Sequence, residues 1–253
     1  ANDQHKQMLR ASAAVHAMAP GPMREQALDH LYRGQSNDCY WHGLFGGLYL
    51  PHLRRAVWHN IVALEAKLDA CQPRPALVAV DLDFDGKTEL LAHNAALQVA
   101  LRDDGLAAAH ELSSYPLAHN FADTLRRYCE HYHDKVAGGP REHAGEGIAS
   151  AHDIVRFKHP VTAADIVPDA LPRALWLDAI DNDAVSDYHL VDAATLTFAR
   201  PGIVKTWSLA GATTTVRWQL NGFAGRRFVT RLNLAMPSCD GFLGRYVLAD
   251  GGV

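Results

Sequence analysis

Cys71-Gln-Pro-Arg-Pro75 places two prolines within three residues, and the hydrophobic period differs on its two sides. Neither a helix interior nor a central strand passes through such a segment, because proline lacks an amide donor and its ring obstructs the preceding turn. The chain must change architecture there. On the N-terminal side Met8, Ala11, Val15 and Met18 recur at the spacing of one helical face, and Pro20-Gly21-Pro22 ends the run. Ala27, Leu28, Leu31 and Tyr32 predict a second, short helix with Gly34 as its C-terminal stop. Pro51 suits a first helical turn, and Leu53, Val57, Ile61, Leu64 and Leu68 then form an apolar stripe. Residues 1–72 read as a three-helix unit.

Beyond the prolines, residues 76–80, 89–93, 96–101 and 107–112 are short apolar or alternating runs between turn residues, the pattern of strands. One helix is expected among them. Asn120 caps it, Phe121, Leu125, Tyr128, Tyr132 and Val136 share a face, and Gly138-Gly139-Pro140 closes it. Strands are expected again at 153–158, 191–199, 202–208, 212–220, 226–234 and 245–249. Many short strands at regular spacing favour an antiparallel sandwich over a parallel sheet. The class is α+β: three helices, then a sandwich over 73–253 with one inserted helix.

The formal net charge of −4 argues against a nucleic-acid binder, which shows a basic patch. Arg54-Arg55 and Arg226-Arg227 lie inside patterned segments and suit ion pairs better than a phosphate track. Cys39, Cys71, Cys129 and Cys239 have no CxxC spacing, so free thiols in a reducing compartment are expected. No apolar run approaches the ~20 residues that cross a bilayer, and the first residues carry no signal pattern. A cytoplasmic protein away from membranes is expected. The absence of an initiator Met suggests a processed protein or a piece of a longer one.

Residues 35–50, Gln-Ser-Asn-Asp-Cys-Tyr-Trp-His-Gly-Leu-Phe-Gly-Gly-Leu-Tyr-Leu, crowd Asn37, Asp38, Tyr40, Trp41 and His42 into six positions before Gly43, Gly46 and Gly47. Those groups cannot all share one apolar face. They suit a loop that offers an aromatic plate and hydrogen-bonding groups to a polyhydroxylated ligand, although Trp41 plugging a helix seam while Asp38 caps a turn fits the same residue types. The segment strongly resembles one shared by family 57 glycoside hydrolases of the 4-α-glucanotransferase and α-amylase type. The similarity extends to His5-Lys6-x-Met8-Leu9, to Asp83-Phe-Asp-Gly86 with Glu89, to Gly147-Ile-Ala-Ser-Ala-His-Asp153 and to Leu175-Trp-Leu-Asp178.

The resemblance implies a helical segment on the rim of a glucan site, followed by a galactose-mutarotase-like β-sandwich. Asn37, Asp38, Trp41 and His42 would line a site for α-glucan or maltooligosaccharide. The barrel motifs that carry the family's catalytic glutamate and aspartate are not in this sequence. A retaining glycosidase needs two carboxyl groups ~5 Å apart, and the run Asp178, Asp181, Asp183, Asp187 reads as a solvated acidic loop instead. No catalytic residue is assigned, and the chain alone is expected to be inactive. Its expected partners are an upstream catalytic barrel and a second copy in a homodimer. The rival readings are a stand-alone carbohydrate-binding module using Trp41, Trp207 and Trp218, and an interaction domain.

Asp81-Leu-Asp83-Phe-Asp85-Gly86-Lys-Thr-Glu89 has carboxylates at relative positions 1, 3, 5 and 9 with glycine at 6. That order matches the first part of a calcium loop, with the Lys87 carbonyl as a further oxygen. Ala92 stands where an EF-hand has its glutamate, so the expectation is a structural Ca²⁺ held by Asp81, Asp83, Asp85, Lys87 and Glu89; an Asp-rich turn without metal is the alternative. The fifteen histidines form no HExxH or Cys/His quartet, and His131-x-His133 would point apart on a helix. Gly43-x-x-Gly46-Gly47 follows a helix rather than a strand and is no dinucleotide fingerprint, and no GxSxG elbow is present.

Overall fold

A computed structural model describes residues 2–43, 45–130, 133–137 and 159–236. The N-terminal part is three helices, α1 (Asn2–Ala17), α2 (Pro22–Gly34) and α3 (Pro51–Cys71). Pro22 and Pro51 sit in first turns, where no amide donor is needed. Met8, Ala11, Val15 and Met18 meet Ala27, Leu31, Val57, Ile61 and Leu64 in one buried cluster, as the spacing predicts. Two details differ. Tyr32 is 62% exposed rather than packed on the inner face. Gly34 remains helical, and the chain leaves α2 at Gln35, whose amide donates to Leu31 and Tyr32 carbonyls.

After the proline break come β1 (Leu77–Val80), β2 (Glu89–His93), β3 (Leu97–Arg102), β4 (Ala109–Ser114) and β5 (His119–Asn120). They are followed by β6 (Leu175–Ile180), β7 (Asp183–Ala184), β8 (His189–Asp192), β9 (Thr197–Arg200), β10 (Ile203–Ala210), β11 (Thr213–Leu220) and β12 (Phe228–Leu232). One antiparallel sheet runs β1-β2-β3-β4-β6-β12, with β5 on β4 and β7 on β6; the other runs β11-β10-β9-β8. Leu90, Val99, Leu101 and Leu175 of the first sheet share a core with Phe198, Ile203 and Trp207 of the second. The sheets therefore form the expected sandwich, and the alternation of Thr213–Leu220 is that of a strand with one face turned inward.

Three expectations need correction. Residues 191–199 are not one strand: Asp192 accepts from Ala194 N and Thr195 Oγ1, and this Asx turn splits the run into β8 and β9. Strands β6 and β7 were not predicted; Leu175–Ile180 is apolar enough to be buried on both faces, which hides alternation.

Of the inserted helix expected from Asn120, the described residues hold only the short α4 (Asp134–Ala137), and Tyr132 and Gly138-Gly139-Pro140 lie outside them. Asn120 caps a turn rather than a helix, its Oδ1 accepting from Leu112 N and Ala122 N. Phe121 N donates to Leu112 O, and Phe121 O accepts from Ala235 N, so the sheet takes the backbone groups a helix would use.

Residues 125–173 form a separate compact unit. Within it the Arg127 guanidinium grips the Asp169 carboxylate, and Thr162 with Asp165 makes a capping box. The strands expected at 153–158 and 245–249, the Gly147–Asp153 segment, His131 and Cys239 lie outside the described residues. Among the described residues no helix is long and apolar enough to cross a membrane.

Candidate functional site

The loop between α2 and α3 begins with a 3₁₀ turn, Asn37–Tyr40, that buries only Cys39. Asn37, Asp38, Trp41 and His42 all remain exposed. Trp41 is 54% exposed, and its indole Nε1 donates to Asn37 Oδ1 at 2.6 Å. The ring is thus aimed by a neighbour rather than packed in a seam. His42 stands edge-on to Tyr49, with centroids 5.1 Å apart. Phe45, not singled out in the sequence, is 89% exposed on the same loop.

Anchors beneath this surface are buried. Tyr40 donates its hydroxyl to the Gly34 carbonyl, and burial raises its pKa. Cys39 donates its thiol to Gln4 Oε1 at 3.4 Å, and burial pushes that thiol up to about 11, leaving it protonated and unreactive at neutral pH. The loop then doubles back at Gly47 (φ +51°). A Cβ there would lie 2.3 Å from the Trp41 carbonyl oxygen and 2.9 Å from that of Asp38, so only glycine fits. Leu48 N donates to the Trp41 carbonyl at 3.0 Å. The Arg54 guanidinium, 7% exposed, donates to Leu48 O at 2.6 Å and to Asp123 Oδ1 at 3.3 Å. Arg54 and Asp123 were missed as site residues. The sequence shows only an arginine in a helical pattern and an aspartate near an expected cap.

The loop after β1 brings Asp81, Asp83 and Glu89 together, with one oxygen of each within 4.8 Å of the others. The Asp85 carboxylate stays outside that group, exposed, and accepts from Lys87 N. Asp81 accepts from Asp85 N and Gly86 N, as in an Asp-rich turn. Glu89 Oε2 accepts from Leu82 N at 2.7 Å, while the Arg102 guanidinium pairs with Asp83 and approaches Glu89 at 3.5 Å. Burial raises the pKa of Asp83 and of Glu89, the arginine working against that. Asp83 Oδ1 is buried without a hydrogen-bond partner.

The acidic run at 178–187 is only partly solvated. Asp181 and Asp183 are exposed, and Asp181 pairs with Arg226 as an arginine in a patterned segment suggests. Asp178 is fully buried. Its Oδ2 accepts from Lys205 Nζ (2.9 Å), Tyr188 OH (3.0 Å) and Trp218 Nε1 (3.1 Å). The Lys205 ammonium lies 5.5–5.6 Å from the ring centres of Tyr188, Trp207 and Trp218. Trp207 and Trp218 are therefore walls of a box filled by the protein's own lysine, not plates for a sugar.

Residues 1–68 match the "Alpha-amylase/4-alpha-glucanotransferase, middle domain" family model, and residues 81–189 match the corresponding C-terminal model. The chain belongs to the α-amylase/4-α-glucanotransferase family. Within that family, a 4-α-glucanotransferase from Thermococcus kodakarensis is 35% identical over 195 residues, 77% of this chain and 27% of that protein. An α-amylase from Pyrococcus furiosus is 36% identical over 194 residues, 77% and 26% respectively. The crystal structure of 4-α-glucanotransferase from Thermococcus litoralis superposes with a TM-score of 0.66 at 27% identity, over 93% of this chain and 39% of that one. The chain thus spans little more than a quarter of the length of these two curated relatives.

Proposed function

We propose that the loop at 35–50 forms one wall of an α-glucan site. Trp41 is the plate for a sugar's apolar face, and Asn37, Asp38 and His42 supply groups for its hydroxyls. The observation that carries this reading is the Trp41 ring, half in solvent yet fixed by its bond to Asn37 above a rigid, buried anchor. A structural tryptophan would be packed, as Trp58 and Trp207 are. The relatives' names, 4-α-glucanotransferase and α-amylase, support an α-glucan as the ligand. In this reading the pair of catalytic carboxylates belongs to the portion of the relatives that this chain does not match. The chain alone then binds glucan weakly and does not cleave or transfer it.

Maltoheptaose added to ¹⁵N-labelled protein should move the Trp41 indole signal, and a parallel assay should find neither hydrolysis nor disproportionation. An unmoved indole would refute the wall, and measurable turnover would refute the division of labour.

A second reading concerns the loop after β1: Asp81, Asp83 and Glu89 hold a structural Ca²⁺. The unpartnered, buried Asp83 Oδ1 favours it, because a buried carboxylate oxygen without a partner is costly. Arg102 is the competing cation. Equal melting temperatures with calcium and with a chelator would refute this reading and leave Arg102 as the cation that pairs with Asp83 and Glu89.

A further inference from the structure

The Trp41 loop is tied at both ends to one residue. Arg54 accepts at its main-chain carbonyl from Gln4 Nε2 (2.9 Å), and Gln4 Oε1 in turn accepts from the Cys39 thiol. Its guanidinium holds Leu48 O, and Leu48 N holds Trp41 O. One face of α3 thus fixes the chain before and after Trp41. What fixes the guanidinium is Asp123, which lies 69 residues further along and belongs to the sheet region. Asp123 is itself placed by the turn after β5, where its amide donates to Asn120 O at 3.3 Å.

We propose that Asp123 is a positioning residue for the loop. The sheet region, through the Asp123 carboxylate and Arg54, sets where the Trp41 ring stands. The ligand of that ring rests on the reading above; the positioning does not. The physical basis is the burial of both charges, with side chains 7% and 10% exposed. In so dry a setting the guanidinium cannot turn to water when its partner is lost, so its aim at Leu48 depends on the carboxylate. Arg54 spends two of its donors in different directions, and a planar fork transmits a displacement of one end to the other. The sandwich is then a working part of the glucan wall.

The test uses the indole ¹⁵N–¹H spectrum of the full chain, which has five tryptophans. The Trp41 signal is assigned by its disappearance in Trp41→Phe, and Trp207, in the sandwich core, reports that the fold is intact. Asp123→Asn should shift the Trp41 signal by more than its line width while leaving that of Trp207 in place. It should also weaken maltoheptaose binding about ten-fold, the size of one charge-assisted hydrogen bond.

If Asp123→Asn does not fold, the double variant Arg54→Met/Asp123→Leu removes both charges of the pair together and should give the same Trp41 shift. A folded variant whose Trp41 signal coincides with wild type overturns the proposal. The two readings fail separately. A Trp41 signal that moves in Asp123→Asn but ignores maltoheptaose in wild type supports the positioning and refutes the glucan ligand.

Discussion

The Trp41 loop and the Lys205 box are built from the same kinds of residue and behave oppositely. Each combines tryptophan, tyrosine and aspartate, the set that commonly binds sugars or cations. In the box, Tyr188, Trp207, Trp218 and Asp178 close around a lysine of the same chain that is 0% exposed. Lys205 and Trp218 come from the second sheet and Asp178 from the first, so the box joins the layers of the sandwich. In the loop the aromatic ring and the carboxylate face outward, while Tyr40 and Arg54 beneath them hold the Gly34 and Leu48 carbonyls and Cys39 holds Gln4. A polar aromatic cluster is structural when the chain fills it and available for binding when the chain only supports it.

The largest effect should come from emptying the box. Lys205→Met leaves Asp178 charged and buried, and should cost about 3–5 kcal/mol in urea unfolding, whereas Lys205→Met/Asp178→Leu should cost much less. A single-variant loss no greater than that of a surface substitution would break the contrast, because the box would then not be a closed ion pair.

Gly47→Ala should come next, at about 1–3 kcal/mol, since it forces a side chain into the left-handed region and against the Trp41 carbonyl. The same variant should move the Trp41 indole signal. Unchanged stability would show that the loop is not held as tightly as its hydrogen bonds imply.

A smaller, pH-dependent effect belongs to the seam between helices and sheet. Glu111 is buried there and accepts from Gln98 Nε2, Ser113 Oγ and Gln7 Nε2. Burial raises its pKa, with the nearby Glu65 carboxylate acting in the same direction. The folded chain therefore binds more protons than the unfolded one between the ordinary carboxyl value of about 4.3 and the raised value. This group's contribution is fully present below about pH 4 and is lost as pH rises through the folded value. Urea unfolding from pH 4 to pH 8 should show Glu111→Gln gaining on wild type as pH rises; parallel curves would refute the shift.

The smallest effect on stability should be that of Trp41→Ala, within about 0.5 kcal/mol, with maltoheptaose binding lost by calorimetry. Large destabilisation by this change would place Trp41 with the box tryptophans and end the comparison.

Much of this was legible beforehand. The prolines at 73 and 75 separate helical from strand periodicity, and the ranges of α1–α3, β2 and β10–β11 follow closely from their patterns. The loop was recognised by residue types that no core element could hold, and its segment carried the family resemblance that the family models support. What failed did so for tertiary reasons. Phe121, Leu125 and Tyr128 have a helical spacing, but Leu112 and Ala235 take the backbone groups of Phe121, and Asn120 takes the amides of Ala122 and Asp123 in a turn. Asp178 stood in an acidic run whose other members face water. Only the packing of the second sheet, which brings Lys205 and Trp218 onto it, makes it a buried anion.

By itself, then, the sequence determined where the chain bends, which segments are helix or strand, and which loop has residues unfit for a core, because these depend on local sterics and periodicity. Only the tertiary structure decided which polar aromatic cluster is filled and which is open. It also brought Asp123 to Arg54, and Arg54 to the loop. Those outcomes turn on contacts between residues far apart in sequence, whose charges are fixed in place only once water has been excluded around them.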